Sequence, residues 1–367
     1  MNSFNFQSTK KRALVTGATG FIGKRLVRTL LDQGYRVTCL VRKTSNLDSL
    51  EHSGCKFVYG DLTEDVEVLA DAVQGCSEVF HLAASTKAVY SRDLEKINTT
   101  GLGNLLDACR CSNQPPVVIL VSSLAAAGPS VGKSLRVESD AACTVSDYGK
   151  SKLACEKLAM TYSDELSISI VRPPIVLGPG DQNGFRIFRS ISKTRCHFVP
   201  TFKTNLYSVI YVDDLVRAMI QVAEKGQRLD EDEQNRGIYF VAGGPPVTYA
   251  DLGRLAAHAM GCKKIIVIPV AFFIMWVIAA FHEMLGRIKS QPMFLNFDKY
   301  RDAIAGSWAC SSEKIKTEVG FEVIVSLQKR FQQTADWYQS QNWLPAQSKQ
   351  LVENMSRDKQ FEKKPTS

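Results

Sequence analysis

One tyrosine and one lysine stand four positions apart in the segment Tyr148-Gly-Lys-Ser-Lys152. If this segment is helical, positions i and i+4 share one face, so the Tyr148 hydroxyl and the Lys152 ammonium converge. A cation beside a phenol favours the phenolate and lowers the tyrosine pKa from about 10 toward the working pH. The pair therefore predicts a general acid/base at Tyr148, although such a pair taken alone is more often an exposed helix face.

Two serines follow the apolar run Val117–Val121, which predicts a buried strand. Ser123, at the end of this strand, is expected to hydrogen-bond a substrate carbonyl oxygen and to stabilise the charge that develops there. The tyrosine, the lysine and the serine together indicate chemistry on a carbonyl or hydroxyl group.

A glycine-rich turn near the start of the chain is the element expected to hold a cofactor for this chemistry. Ala13–Val15 predicts a strand, the three glycines Gly17, Gly20 and Gly23 follow at even spacing, and a helical pattern runs on to Gly34. Such a strand–turn–helix unit offers backbone N–H groups and the positive end of a helix dipole to a pyrophosphate. The glycine triplet alone is weak evidence, and the strand before it and the helix after it give it meaning.

Short apolar runs alternate with helical patterns along the first half of the chain. Strands are predicted at 35–41, 56–59, 78–84, 117–121 and 167–171. This alternation predicts an α/β fold with a parallel sheet covered by helices on both faces. Apolar runs at 208–212 and 237–241 predict two further strands, and Asp213, directly after the first run, is expected to be the N-cap of the next helix.

The end of the second predicted strand meets the adenosine ribose in a dinucleotide-binding fold. No acidic residue stands between Tyr35 and Leu47, and Arg42 follows the strand directly. An arginine there pairs with a 2′-phosphate, so NADP is predicted to be preferred over NAD unless Arg42 is merely solvated. Asp61 is expected either to cap the next helix or to hydrogen-bond the adenine amino group. His81, inside an apolar strand, is expected to be a hydrogen-bonded core histidine rather than a catalyst.

The motifs occur together, and in this the sequence resembles the extended short-chain dehydrogenase/reductase family over about residues 11–345. TGATGFIG at 16–23 matches the family's TGxxGxxG loop, and HLAA at 81–84 matches the strand that lines the cofactor. VSSLAAAG at 121–128 carries the serine, and YGKSK at 148–152 carries the YxxxK pair.

The resemblance implies roles for individual residues. Tyr148 would be the proton donor or acceptor, and Lys152 would hold the nicotinamide ribose and tune Tyr148. Ser123 rather than Ser122 matches the catalytic serine, because it stands five positions before the glycine of the SxxxxG pattern. The implied cofactor-binding residues are Gly17, Thr19, Gly20, Phe21, Ile22, Gly23, Arg42, Asp61, Leu62, Leu82, Ala83, Ala84, Tyr148, Lys152 and Pro173.

The segment Arg172-Pro-Pro-Ile-Val-Leu-Gly-Pro179 resembles hydroxysteroid dehydrogenases and dihydroflavonol-reductase-like enzymes more than nucleotide-sugar members. The expected function is therefore an NAD(P)-dependent oxidoreductase that moves a hydride between nicotinamide and a hydroxyl or keto group. Its substrate is expected to be hydrophobic, of a steroid, flavonoid or keto-acid kind. Two alternatives stay open: a nucleotide-sugar epimerase or dehydratase with tightly bound NAD, and a non-catalytic protein that senses NADP.

The resemblance also implies a domain plan: a Rossmann-like, doubly wound parallel sheet with a smaller, interleaved C-terminal cap that binds substrate. The dinucleotide-binding domain is expected at 11–172 plus 206–241, and the cap at 173–205 plus 242–345. The polar ends, 1–10 and 346–367, are expected to be disordered tails. A homodimer is expected from the resemblance.

The most apolar stretch of the chain is 265–281, which is interrupted by Pro269. A spanning helix needs about 20 apolar residues, so the stretch is interpreted either as a buried cap helix or as a helix or lid that contacts membrane or a lipophilic substrate.

The net charge is +8, with basic residues dispersed along the chain, a pattern that does not favour nucleic-acid binding. Ten cysteines without a C-x-x-C pair indicate no metal site and suggest small buried residues in a reducing compartment. The N-terminal segment lacks the apolar core of a secretory signal, so a cytoplasmic location is expected, with membrane association left open.

Overall fold

The computed structural model describes residues 10–85, 91–132, 134–200, 204–289 and 296–345. The two predicted tails, 1–10 and 346–367, therefore lie outside the described residues except for Lys10. In chain order the elements are β1 (Arg12–Thr16), α1 (Phe21–Asp32), β2 (Arg36–Val41), β3 (Lys56–Tyr59), α2 (Val66–Val73), β4 (Glu78–His81), α3 (Ser91–Arg110), β5 (Val117–Val121), α4 (Leu124–Ala127), α5 (Asp147–Met160), β6 (Ile168–Arg172), β7 (Ile175–Leu177), α6 (Gln182–Thr194), β8 (Cys196–Val199), β9 (Leu206–Tyr207), β10 (Val209–Tyr211), α7 (Val212–Lys225), β11 (Ile238–Phe240), β12 (Val247–Thr248), α8 (Tyr249–Ala259), β13 (Ile266–Pro269), α9 (Phe272–Ile288), α10 (Phe297–Ile304), α11 (Glu313–Val319) and α12 (Leu327–Ser340).

Seven parallel strands form the central sheet, in the order β3-β2-β1-β4-β5-β6-β11. Successive side chains of a strand point to opposite faces, and β1 follows this rule. Ala13 and Val15 pack in the core cluster that contains α1 and α7, whereas Leu14 packs in the cluster that contains α2, α3 and α5. Helices thus cover both faces, which confirms the predicted Rossmann-like, doubly wound sheet.

A third core cluster joins α6, α8 and α12, and three two-stranded ribbons, β7–β10, β9–β12 and β8–β13, accompany it. Phe331 and Trp337 belong to this cluster. Phe321 lies farther along the chain than the α6 and α8 segments and is buried in the cluster that covers one face of the central sheet. The division into a dinucleotide-binding domain and an interleaved cap stays a prediction.

The stretch 265–281 is not one buried helix, so that interpretation is wrong. Ile266–Pro269 forms β13, which pairs in parallel with β8, and α9 begins only at Phe272. A proline ring cannot continue a helix from preceding residues, and Pro269 is the last residue of the strand. Most of the large apolar side chains of α9 are exposed rather than buried. No helix in the described part of the chain is long and apolar enough to span a membrane.

Two smaller expectations also need correction. Asp213 was expected to cap the helix after β10, but α7 already begins at Val212, and Asp213 lies in its first turn. There its carboxylate accepts two hydrogen bonds from Arg25 of α1, at 2.7 and 2.8 Å, so it ties α7 to the glycine-turn helix. The cysteines are not uniformly buried, because Cys111 and Cys143 are exposed.

Candidate active site

Apart from Tyr148 and Lys152, which lie on α5, the candidate site residues follow the carboxyl end of a strand or open the helix that comes after it. The glycine turn follows β1, Arg42 follows β2, and Asp61 and Leu62 follow β3. Leu82, Ala83 and Ala84 follow β4, Ser123 follows β5, and Pro173 follows β6. Because all of these strands are parallel, their carboxyl ends lie at one edge of the sheet. This edge is where open α/β sheets bind their ligands.

The glycine turn is packed so tightly that side chains cannot be added to it. Gly17 has a φ of +71°, and a Cβ atom there would lie 2.7 Å from the Ala83 nitrogen. A Cβ atom at Gly23 would lie 2.2 Å from the Gly17 oxygen. These contacts hold the turn against the end of β4, beside Leu82 and Ala84.

The N-terminus of α1 is suited to an anion. Its N-cap is Gly20, and among the described residues no side chain accepts a hydrogen bond from its first turn. Phe21 and Ile22 begin the helix directly after Thr19 and Gly20, and no acidic residue lies in the first turn. Unsatisfied backbone N–H groups at a positive helix end fit the pyrophosphate of a dinucleotide.

Ser123 and Tyr148 lie close together, and Lys152 lies one helical turn after Tyr148 on α5. Ser123 is the N-cap of α4, where its Oγ accepts a hydrogen bond from the Ala125 nitrogen at 3.1 Å, and its side chain lies close enough to the Tyr148 hydroxyl to act on the Tyr148 pKa. Lys152 lies one turn after Tyr148 on α5, is buried, and donates to the Val121 carbonyl at 2.8 Å. Ser122 is buried and its Oγ has no hydrogen-bond partner among the described residues.

The expectation that Lys152 lowers the Tyr148 pKa does not hold in this structure. Burial raises the pKa of Tyr148 to about 12, and the hydrogen bond with Ser123 acts in the opposite direction. Burial also lowers the pKa of Lys152, because the charged ammonium loses solvation. Tyr148 is therefore a neutral phenol near pH 7.

Arg42 and Asp61 lie near each other at the far end of the same edge. Hydrogen bonds from the Thr63 side chain and backbone, followed by the positive charge of Arg42, hold the pKa of Asp61 below its usual value. Asp61 does not cap the next helix: α2 begins at Val66 with Asp65 as N-cap. Instead, Asp61 accepts hydrogen bonds from the nitrogen and hydroxyl of Thr63 at 2.9 and 2.7 Å. Arg42 is exposed.

His81 is a core residue, as predicted. It is buried, its Nδ1 lies 2.9 Å from the Thr16 hydroxyl, and burial lowers its pKa to about 3. The nearby Lys152 charge lowers that pKa further. His81 is therefore neutral and structural.

Asn98 is a buried residue that was missed in the sequence. Its side-chain amide on α3 donates to the Ser85 carbonyl at 3.0 Å and to the Ser151 hydroxyl at 2.7 Å, and its oxygen accepts from the Ser85 nitrogen at 2.7 Å. It thereby links the segment after β4 to α5, one residue before Lys152. The available signal was an asparagine one turn before Leu102 on the inward face of a helix.

Asp298 on α10 was also missed. Its carboxylate accepts hydrogen bonds from the backbone nitrogens of Asp147 at 2.6 Å and Tyr148 at 3.1 Å. The Ser146 hydroxyl accepts from the Gly149 nitrogen at 3.2 Å. Together these acceptors satisfy the first turn of α5. No sequence signal marks this contact, because 150 residues separate Asp298 from Tyr148.

A cleft of about 830 Å³ lies elsewhere, on the outer side of α6. It is lined by Gln182, Phe185, Arg186, Arg189, Ser192, Lys193, Trp343, Leu344 and Pro345. None of the candidate site residues borders it, so the geometry at the sheet edge, rather than this cleft, defines the candidate active site.

Known proteins of one family are similar to this chain. A sequence model of the NAD dependent epimerase/dehydratase family matches residues 13–240. Ceramide reductase of Caulobacter vibrioides is 28% identical over 335 residues, which cover 90% of this chain and 95% of that protein. A 3 beta-hydroxysteroid dehydrogenase/Delta 5-->4-isomerase of Mycobacterium tuberculosis is 30% identical over 268 residues, which cover 68% and 70% of the two chains.

Among solved structures, the fold is similar to that of DesIV, a dTDP-glucose 4,6-dehydratase from Streptomyces venezuelae solved with NAD and TYD bound. The TM-score is 0.71 at 21% identity, and the match covers 91% of this chain and 99% of that one. At this identity the likeness supports the fold alone.

Proposed function

The chain belongs to the NAD-dependent epimerase/dehydratase family, and on that premise we propose that it is an NADP-preferring oxidoreductase acting on a hydroxyl or keto group of a hydrophobic small molecule. The observation that carries the proposal is the closeness of the Ser123 side chain to the Tyr148 hydroxyl, with Lys152 one helical turn away on α5, at the same sheet edge as the glycine turn.

The cofactor would be held along this edge. The glycine turn, Gly17 to Gly23 with Thr19, Phe21 and Ile22, would take the pyrophosphate, and Arg42 and Asp61 with Leu62 would flank the adenosine. Leu82, Ala83, Ala84 and Pro173 would line the remaining length toward Tyr148 and Lys152. When bound, the nicotinamide supplies or accepts a hydride at the substrate carbon.

The protein's own residues handle the oxygen. Ser123 donates a hydrogen bond to the substrate oxygen and so stabilises negative charge on it. Tyr148, which is protonated near pH 7, donates its proton to that oxygen as the carbonyl is reduced. A phenol with a raised pKa is already in the state that reduction needs, so we propose reduction as the favoured direction. Lys152 would hold the ribose, as in the family it resembles.

Two observations support a hydrophobic substrate. The two relatives described above carry names that denote redox reactions of a ceramide and of a 3 beta-hydroxysteroid, both of which are lipids. In addition, α9 exposes large apolar side chains and packs on α10, which contacts the first turn of α5 through Asp298. Apolar surface therefore lies one helix away from Tyr148.

The test is to measure the consumption of NADPH and of NADH against ketosteroids, long-chain keto lipids, flavonoid-like ketones and β-keto acids. We expect turnover with at least one hydrophobic ketone, faster with NADPH. Because the family also contains epimerases and dehydratases, nucleotide sugars belong in the same screen. Conversion of a nucleotide sugar without net coenzyme consumption, by protein that retains NAD through purification, would replace the proposal. Binding of NADPH without any turnover would indicate a sensor.

A further inference from the structure

Helix α9 presents a stripe of large apolar side chains to solvent. The most exposed are Phe273 at 74%, Ile288 at 72% and Phe281 at 56%. Val277 and Met284 lie between them at three- and four-residue spacing, so the five side chains share one helix face. The opposite face carries the small buried residues Ala279 and Gly286 and packs toward the protein.

The ribbon that precedes α9 in the chain also exposes apolar side chains. Strands β8 and β13 pair in parallel just before α9, and they expose Phe198 at 53% and Ile266 at 62%. Trp276 of α9, itself about half exposed, makes an edge-to-face ring contact with Phe297 of α10 at 6.1 Å. An exposed stripe of large apolar side chains on one helix face indicates an interaction site rather than ordinary surface composition.

Exposed positive charge lies at both ends of this surface. Lys263 and Lys264 are exposed just before β13, and Lys289 is exposed just after α9. Between Ile265 and Phe281 the sequence has no charged residue. An apolar helix face with basic flanks is typical of helices that lie in the interface of an anionic bilayer.

The length of α9 limits how the helix can contact a bilayer. Its 17 residues give a helix of about 25 Å, whereas the hydrocarbon core is about 30 Å thick. The helix is therefore too short to cross, and one of its faces packs on α10. It can lie only in the plane of the interface, with the stripe toward the lipid.

We propose that the α9 face, with Phe198 and Ile266, docks on the surface of an anionic phospholipid bilayer. Docking brings the Tyr148 site to a lipophilic ketone or alcohol held in that leaflet, and this second part rests on the proposed function. A second copy of the chain is the less suitable occupant, because a symmetric contact would gather the lysine flanks of both copies, whereas an anionic leaflet neutralises them.

The structure also connects the docking face to the chemistry. Helix α10 packs against α9, and its Asp298 accepts the backbone N–H groups that open α5. Asp302 of the same helix is close enough to Tyr148 for its charge to raise the Tyr148 pKa. In the described part of the chain, α10 therefore links the lipid-facing stripe to the helix that carries the proton donor.

The experiment is flotation of the full-length protein with vesicles of phosphatidylcholine, with and without phosphatidylglycerol. We expect binding that is stronger with phosphatidylglycerol and weaker at high salt. The Phe273→Ser/Phe281→Ser double variant should bind on the order of tenfold or more weakly, because two large apolar side chains no longer enter the interface. The Lys263→Glu/Lys264→Glu variant should lose the preference for phosphatidylglycerol. Ile324→Ser, at an 88% exposed position between α11 and α12, is the matched control and should bind like the wild type.

The outcomes separate the two proposals. Wild-type protein that floats with neither vesicle, or a Phe273→Ser/Phe281→Ser variant that binds as well as the wild type, would overturn the docking proposal. A lipid-free dimer that the same variant converts to monomer, without vesicle binding, would assign the face to a second copy. Tyr148→Phe should bind vesicles normally. Wild-type protein that turns over none of the ketones in the screen but binds anionic vesicles would refute the proposed function and leave docking intact.

Discussion

Replacing Asp298 of α10 by alanine should lower catalytic activity, although Tyr148 lies on a different helix, α5. The change removes the carboxylate that accepts N–H groups of Asp147 and Tyr148 at 2.6 and 3.1 Å. Loss of a capping acceptor costs about 0.5–2 kcal/mol, and loss of a negative charge at a helix N-terminus costs about 0.3–1 kcal/mol. We therefore expect the free energy of unfolding to fall by about 1–2 kcal/mol. Since the first turn of α5 carries Tyr148, we also expect kcat to fall roughly tenfold to a hundredfold.

The assay combines urea unfolding with steady-state kinetics on the substrate identified in the screen. Asp298→Asn keeps an acceptor oxygen and should recover most of the kcat, which a purely structural defect would not predict. Thr248→Ala is the matched control: it removes the N-cap of α8, whose hydroxyl accepts from the Asp251 nitrogen at 3.1 Å, and should lower stability by a similar amount with unchanged kcat. If Asp298→Ala retains wild-type kcat at its lower stability, the positioning role is wrong.

Three further predictions address the cofactor turn, the coenzyme and a buried carboxyl. Gly23→Ala places a methyl group 2.2 Å from the Gly17 oxygen and should abolish dinucleotide binding measured by fluorescence, whereas Gly103→Ala, whose methyl meets only Leu158 at 3.7 Å, should bind normally. Arg42→Ala should weaken NADPH binding about tenfold or more, because a charge-assisted hydrogen bond is lost, and it should leave NADH binding unchanged. An unchanged ratio of the NADPH and NADH dissociation constants would exclude Arg42 from coenzyme selection. Burial raises the pKa of Asp181 to about 6, so the folded protein binds this proton more tightly than the unfolded chain does. As the pH rises from about 4 to about 6, the free energy of unfolding of the wild type should therefore fall by up to about 3 kcal/mol relative to that of Asp181→Asn. Chemical unfolding measures this difference, and parallel pH profiles of the two proteins would contradict it.

The central sheet could be predicted because its signals are local. Buried parallel strands read as short apolar runs, and Lys56–Tyr59 and Val117–Val121 coincide with the predicted strands. Once the strands are known to be parallel, residues that follow them must meet at one edge. That argument places Ser123 and the glycine turn at one edge, whereas Tyr148 was joined to them by the family resemblance.

What the sequence did not reveal depends on distant partners or on burial. The structure of 265–281 was predicted wrongly because β13 forms by pairing with β8, about 70 residues earlier. Composition also does not indicate whether a partner covers an apolar helix. Asp213 binds Arg25 from 188 positions away, so a rule based on the local cap could not find it. For Tyr148, the spacing to Lys152 was visible, but the desolvation that raises the pKa belongs to the folded environment.

The account's central claim is that the Tyr148 hydroxyl moves the proton. The most direct test is the single-turnover rate and the NADPH dissociation constant of Tyr148→Phe, with Tyr162→Phe as a control, because Tyr162 lies just beyond α5 and its hydroxyl donates to Asp107 at 3.0 Å. We predict a rate about 10²–10⁴-fold lower in Tyr148→Phe, unchanged NADPH binding, and a wild-type rate in Tyr162→Phe. A Tyr148→Phe protein that turns over at the wild-type rate would contradict the proposed mechanism.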